Sequence, residues 1–141
     1  MKTTKEMLEF LDAKKVGSRE APKHIPLIER ALMPGEEVLF VFCGNQNSRG
    51  VHSQGIHAYA MTNRRFIVAQ AKVAFQEGNL KGVQIYMPEQ LGGITYRRGM
   101  LTGTISISFF DGAGDIMVEK KSVEYIYDEL NKALFAARNE I

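Results

Sequence analysis

The chain holds a single cysteine in 141 residues, so it makes no internal disulfide. Its opening residues lack the basic stretch, apolar core and small-residue cleavage site of a secretory signal. Secretion is therefore disfavoured and a cytoplasmic location is expected. Prolines number only 4, with 45% hydrophobic and 24% charged residues, which separates the chain from collagenous, disordered and disulfide-scaffold sequences. Long apolar runs are missing too. The stretch 38–43 is among the longest, far short of the roughly 18 to 20 residues a membrane-spanning helix needs. Charge of one sign is scarce: a formal +2 and a pI of about 8.7 do not make the dense basic face of a nucleic-acid-binding domain. What is left is one ordinary globular domain, long enough to bury a core.

The pattern of apolar residues divides the chain. Thr3 and Glu6 have capping-box spacing, which predicts a helix there, with Met7, Leu8 and Leu11 on one face, Phe10 beside them and Gly17 as a left-handed C-terminal cap. The polar stretch 18–23 reads as a linker. Leu27, Ile28, Ala31 and Leu32 then recur at helical spacing over 25–33, and Pro34 with Gly35 ends that helix. From residue 38 the period becomes extended. Seven short β-rich runs are expected at 38–44, 56–61, 65–71, 83–87, 92–98, 103–109 and 115–120, the signal of an all-β sandwich or barrel. In the sixth, Ile105, Ile107 and Phe109 alternate with Thr104, Ser106 and Ser108, so one face meets a core and the other meets water. Asn63 with Arg64, and the stretch 111–114, are the expected hairpin turns. A last helix, capped by Ser122, carries Val123, Ile126, Tyr127, Leu130, Ala133, Leu134, Ala137 and Ile141 as a stripe suited to closing the open end of a curled sheet.

The familiar signatures of chemistry are absent. No G-x-x-x-x-G-K-[ST] occurs, and no G-x-G-x-x-G follows a strand. The segment 50–55, GVHSQG, has one residue too many for a serine nucleophile elbow and no helix after it, so Ser53 reads as a polar loop residue. His24, His52 and His57 lack the spacing and the cysteine partners of a zinc site, and read as loop or strand-surface imidazoles. Cys43, ending the run VLFVFC, reads as a buried, inert thiol. Asp111 and Asp115 sit in a hairpin rather than the roughly twelve-residue loop of a calcium hand. No catalytic residue, metal ligand or cofactor is expected.

Four segments resemble a known family. Residues 32–39, LMPGEEVL, resemble an "L-x-P-G-E-x-V-L" lead into a first strand, and 61–69, MTNRRFIVA, a "T-N-R-R" hairpin. Residues 87–99, MPEQLGGITYRRG, and 102–107, TGTISI, resemble the later "I-T-x-x-x-x-G" and "G-x-I-x-I" segments. Together they resemble the bacterial pleckstrin-homology-like domains of the YokE type. That resemblance implies a mainly β fold, a PH-like barrel or sandwich of about seven antiparallel strands closed by a C-terminal helix. Here residues 35–141 would form the domain and 1–34 an N-terminal helical extension. It also implies binding rather than catalysis. Lipid-binding PH domains carry Lys and Arg at the end of strand one and in strand two, where this chain has Cys43, Gly44, Ala58 and Ala60, which argues against phosphoinositide specificity.

Basic residues are the one constellation that suggests a site. Residues 61–105 balance to +4, through Arg64, Arg65, Lys72, Lys81, Arg97 and Arg98 against Glu77 and Glu89, while residues 106–141 balance to −3. If Arg49, His52, Arg64, Arg65, Arg97 and Arg98 converge, they would hold a phosphate, a carboxylate or an acidic lipid. The alternative is that paired arginines point to opposite faces and are solvated or paired to Glu. Tyr59, Tyr86, Tyr96, Phe75 and Phe110 divide between core and an exposed aromatic patch. The stripe Met7, Leu8, Phe10 and Leu11 must be buried on its own domain or on another subunit, which makes it a candidate interface. The expected function is a non-catalytic binding or assembly module that recognises a protein or itself. The alternative is peripheral attachment to an anionic membrane or phosphate-bearing ligand.

Overall fold

The computed structural model describes residues 1–46, 54–71 and 82–139. Helix α1 is Thr4–Lys14 and α2 is Ala21–Ala31. The strands are β1 Val38–Gln46, β2 Gly55–Thr62, β3 Phe66–Ala69, β4 Val83–Tyr86, β5 Leu91–Arg98, β6 Thr102–Phe109 and β7 Gly112–Glu119, and helix α3 is Val123–Arg138. The strands form one antiparallel sheet in the order β4-β3-β2-β1-β7-β6-β5. This is the expected mainly β, PH-like architecture, with α3 packed against β1, β2, β5 and β6.

Several local expectations are corrected. The capping box of α1 forms, with Thr3 Oγ1 accepting from Glu6 N–H at 3.1 Å and Glu6 accepting from Thr3 N–H at 3.0 Å. The helix ends at Lys15, in the left-handed region at φ 58°, rather than at Gly17. Helix α2 begins at Ala21 with Pro22 in its first turn, so the linker is shorter than the polar stretch suggested. Strand β7 starts at Gly112, which confines the preceding turn to Phe110 and Asp111. Ser122 makes no side-chain cap on α3; its hydroxyl donates to the Lys15 carbonyl at 3.4 Å.

The sheet rolls because β1 changes partners along its length. Only Asn45 and Gln46 pair with β7. Toward its start, the free edge of β1 is taken up by the N-terminal residues. Met1 and Val38 exchange backbone hydrogen bonds at 2.8 and 3.0 Å, and Cys43 N–H donates to Val16 carbonyl at 2.8 Å. At the divergence point a methyl group on Gly44 would lie 2.3 Å from Ile116 Cγ2, so the close crossing of β1 over β7 requires glycine there. Helix α2 packs on β2, β3 and β4, and α1 on β1. Met7, Leu11, Val16, Ala21, Ile25 and Ile28 join the same buried cluster as Phe40, Phe42, Tyr59, Ile105 and Leu130. Helices α1 and α2 thus share the buried core of the sheet. The stripe offered as an interface is covered within the chain: Met7 and Leu11 are buried, and Leu8 and Phe10 are half-buried against the core, Phe10 edge-on to Phe40 at 5.8 Å. That corrects the interface expectation, since a stripe already buried on its own domain has little left for a partner.

Candidate binding site

The two arginine pairs meet different surroundings. Arg65 lies beside a buried carboxylate. Its Nε donates to Glu36 Oε2 at 2.9 Å, and its Nη2 donates to Glu36 Oε1 at 2.5 Å and to Ala31 carbonyl at 2.7 Å. Thr62 Oγ1 donates to Glu36 Oε2 at 2.6 Å, and Met33 N–H donates to Oε1 at 3.0 Å. Burial pushes the Glu36 carboxyl pKa up, but the hydrogen bonds from Arg65, Thr62 and Met33 outweigh it and hold the group below the usual carboxylate range. The neighbouring turn is held by side chains, not by positive φ at Asn63. Thr62 Oγ1 accepts from the N–H groups of Arg64 and Arg65, while Asn63 Oδ1 accepts from Glu37 N–H at 3.0 Å. The P-G-E and T-N-R-R segments are therefore two halves of one clasp. Arg65 belongs to that clasp and is unavailable to a ligand, which corrects its place among the anion-binding candidates. Arg64 is exposed at the hairpin.

Arg97 and Arg98 sit at the far end of β5 and are both exposed. Their only close carboxylate among the described residues is Glu124, 3.2 Å from Arg98, with both side chains about half exposed, so the pair holds little energy. Arg98 lines an open groove of about 850 Å³ where β1 leaves β7. Cys43, Gly44, Ile56, Met117 and Val118 give it apolar surface, and Lys120 and Lys121 stand with Arg98 among its lining residues. A second groove of about 570 Å³ shares Gly17, Ser18, Glu119 and Lys121 with it and adds Lys15 and Arg19 beside Asp12. The two grooves make one face, with five cations, Lys15, Arg19, Arg98, Lys120 and Lys121, against Asp12, Glu119 and, beside Arg98, Glu124.

At one border of this face the β5–β6 turn projects Met100 and Leu101, 91% and 89% exposed. Sequence reasoning passed over these two and over Lys120 and Lys121. The available signal was an apolar pair in a turn where Gly, Asn, Asp or Ser is usual, with a second basic pair ending β7.

The remaining candidates scatter. Arg49, His52, Ser53 and Phe75 lie outside the described residues. His24 and His57 are buried rather than on the surface. His24 Nδ1 accepts from Ala71 N–H at 2.8 Å, which places its proton on Nε2, 3.4 Å from Glu20 Oε1. Burial lowers its pKa, against the opposing pull of Glu20. Cys43 is buried and its thiol pKa is pushed up to about 12 by burial, so it is inert as a nucleophile. Asp115 accepts from Ser106 at 2.7 Å, and Asp111 faces the Tyr86 hydroxyl at 3.4 Å. Tyr59 and Tyr86 are core residues, while Tyr96 lies against Tyr127 with ring centroids 4.7 Å apart and planes tilted by 45°, and the exposed Phe110 meets Tyr86 edge-on, so these candidates do not form one common aromatic patch among the described residues. Among the described residues no three His, Cys, Asp or Glu side chains gather as a metal site would require. No helix among them is long and apolar enough to cross a membrane.

With this geometry in place, the comparisons decide the family. A family model described as bacterial PH domain matches residues 32–132. The chain belongs to the bacterial PH domain family. PH-like domains are generally non-catalytic binding modules. The match starts after α2 begins, so most of the N-terminal extension lies outside it. No curated protein matches the chain.

Proposed function

We propose that this bacterial PH domain is a non-catalytic, cytoplasmic module that docks peripherally on an anionic surface through the groove face, with Arg98, Lys120 and Lys121 as the central cations. The carrying observation is the rim itself, five cations against Asp12, Glu119 and the Glu124 that pairs with Arg98, around an apolar floor. This redraws the basic set expected from the sequence: Arg97 and Arg98 stay, Arg65 leaves, and Arg64 sits on a different turn. The apolar Ala58 and Ala60 also acquire a reason, since both are buried in a strand under α2. The four motifs quoted above support placing the chain in the YokE-like branch of the family.

Co-sedimentation with neutral and anionic vesicles at low and near-physiological salt tests the reading. Binding is expected with anionic vesicles, weakening as salt screens it and falling in Arg97→Ala/Arg98→Ala and in Lys120→Ala/Lys121→Ala. Equal binding by those variants would overturn it.

A second reading, recognition of a protein or self-association, draws on Ile85, Met87 and Phe110. All three are exposed hydrophobic side chains, on or just after β4 and at the β6–β7 turn, and the Phe110 ring lies 6.1 Å from Tyr86. A molar mass in solution above that of one chain, reduced by Ile85→Asp/Phe110→Asp, would favour this reading.

A further inference from the structure

The cations of the groove face would suit any anion, but the turn that borders it adds an apolar demand. Gly99 N–H donates to the Thr102 carbonyl at 2.8 Å, so Met100 and Leu101 are the two residues at the tip of the β5–β6 hairpin. They are the most exposed of the large hydrophobic side chains among the described residues. Arg97 and Arg98 precede the tip, and Lys120 Nζ donates to the Met100 carbonyl at 3.4 Å, which sets a third cation at its base. Leu101 also lines the groove beside Arg98, Lys120 and Lys121, so the apolar tip and the cations belong to one surface.

A free phosphate or a soluble polyanion would engage the cations and leave both apolar side chains in water. A bilayer rewards both parts at once. Its headgroup phosphates meet Lys and Arg, and its acyl boundary, a few ångströms deeper, receives short apolar projections. We propose that Met100 and Leu101 insert into the interface of an anionic bilayer while Arg97, Arg98, Lys120 and Lys121 seat on its headgroups. The proposal rests on the anionic-surface reading above and narrows it to a lipid bilayer.

The chain contains no tryptophan, so Leu101→Trp places a single reporter at the tip, and Met100→Trp repeats the test from the neighbouring position. Each is titrated with phosphatidylcholine vesicles, with or without phosphatidylserine, and with matching vesicles brominated along the acyl chains. The expected result is a blue shift and bromine quenching with the anionic vesicles only. Met100→Ser/Leu101→Ser, which removes the apolar side chains without adding charge, is expected to bind them about tenfold or more weakly, with an unchanged melting temperature and unchanged low-salt binding to inositol hexakisphosphate. Should the tryptophan variants sediment with anionic vesicles while their emission stays that of water, or should the double Ser variant bind like the parent, insertion is overturned and electrostatic docking survives. Absence of vesicle binding at low salt would overturn both.

Discussion

Two Arg-Arg pairs lie in this chain at hairpin positions, and their neighbours give them opposite roles. Arg65 is walled in by Glu36, Thr62 and Ala31 and is four-fifths buried at its side chain. Arg98 reaches across solvent to Glu124 on α3. The difference is made by the partner. Glu36 is fully buried at its side chain, and a carboxylate with no water must be matched by donors. Glu124 keeps its water and asks little of Arg98. Arginine count on a hairpin therefore says nothing about a binding surface until the nearest carboxylate is placed.

The comparison breaks most sharply at the clasp. Arg65→Ala leaves the Glu36 charge buried with fewer donors, and a loss of about 3–5 kcal/mol in unfolding free energy is expected, read by urea denaturation. Glu36→Ala should fall in the same range. Replacing both by leucine should recover part of the loss, since the buried charge and its unmet donors leave together.

Acid sharpens it next. The Glu36 pKa is lowered in the fold, so its contribution is present above about pH 4.5 and is lost as pH falls through the folded value. His24 is also lowered, so the neutral ring's contribution is complete above about 6.5 and declines as pH drops through its folded value. Stability against pH should begin to fall below about 6.5 through His24 and fall further below about 4.5 through Glu36, to which Glu6, Glu20 and Glu29 add. His24→Gln should remove the upper loss and Glu36→Gln should reduce the lower one; a profile unchanged by both substitutions would contradict this assignment.

The smallest effect belongs to the solvated pair. Arg97→Ala/Arg98→Ala should change unfolding free energy by less than about 1 kcal/mol, and Arg64→Ala likewise. A large loss at Arg98 would show that its contact with Glu124 is structural after all.

How far the sequence carried can be judged from the same residues. The strands were legible because alternation is a local property, and Ile105, Ile107 and Phe109 do face the core. The T-N-R-R and P-G-E segments were legible as motifs but not as a clasp, because 26 residues separate Glu36 from Thr62 and only the fold brings them together. His24 and His57 were misplaced for a related reason: α2 covers the sheet face, and nothing near His24 in the sequence announces Ala71 as its donor. The groove escaped notice because it is built from five separate places, the α1–α2 loop, β1, the start of β2, the β5–β6 turn and the end of β7. Element ends differed where the chain capped itself otherwise than the residue types suggest: α1 turns left-handed at Lys15 through its backbone N–H rather than at Gly17, and Ser122 makes no side-chain cap on α3.

The most direct test pairs two readings on two variants, Arg65→Ala and Arg97→Ala/Arg98→Ala/Lys120→Ala. For each, the urea midpoint and the fraction bound to anionic vesicles at low salt are measured at a temperature where both are folded. The triple variant should keep the parental midpoint and lose most vesicle binding, while Arg65→Ala should lose stability and keep its binding. A triple variant that binds vesicles as the parent does would contradict the assignment of this face.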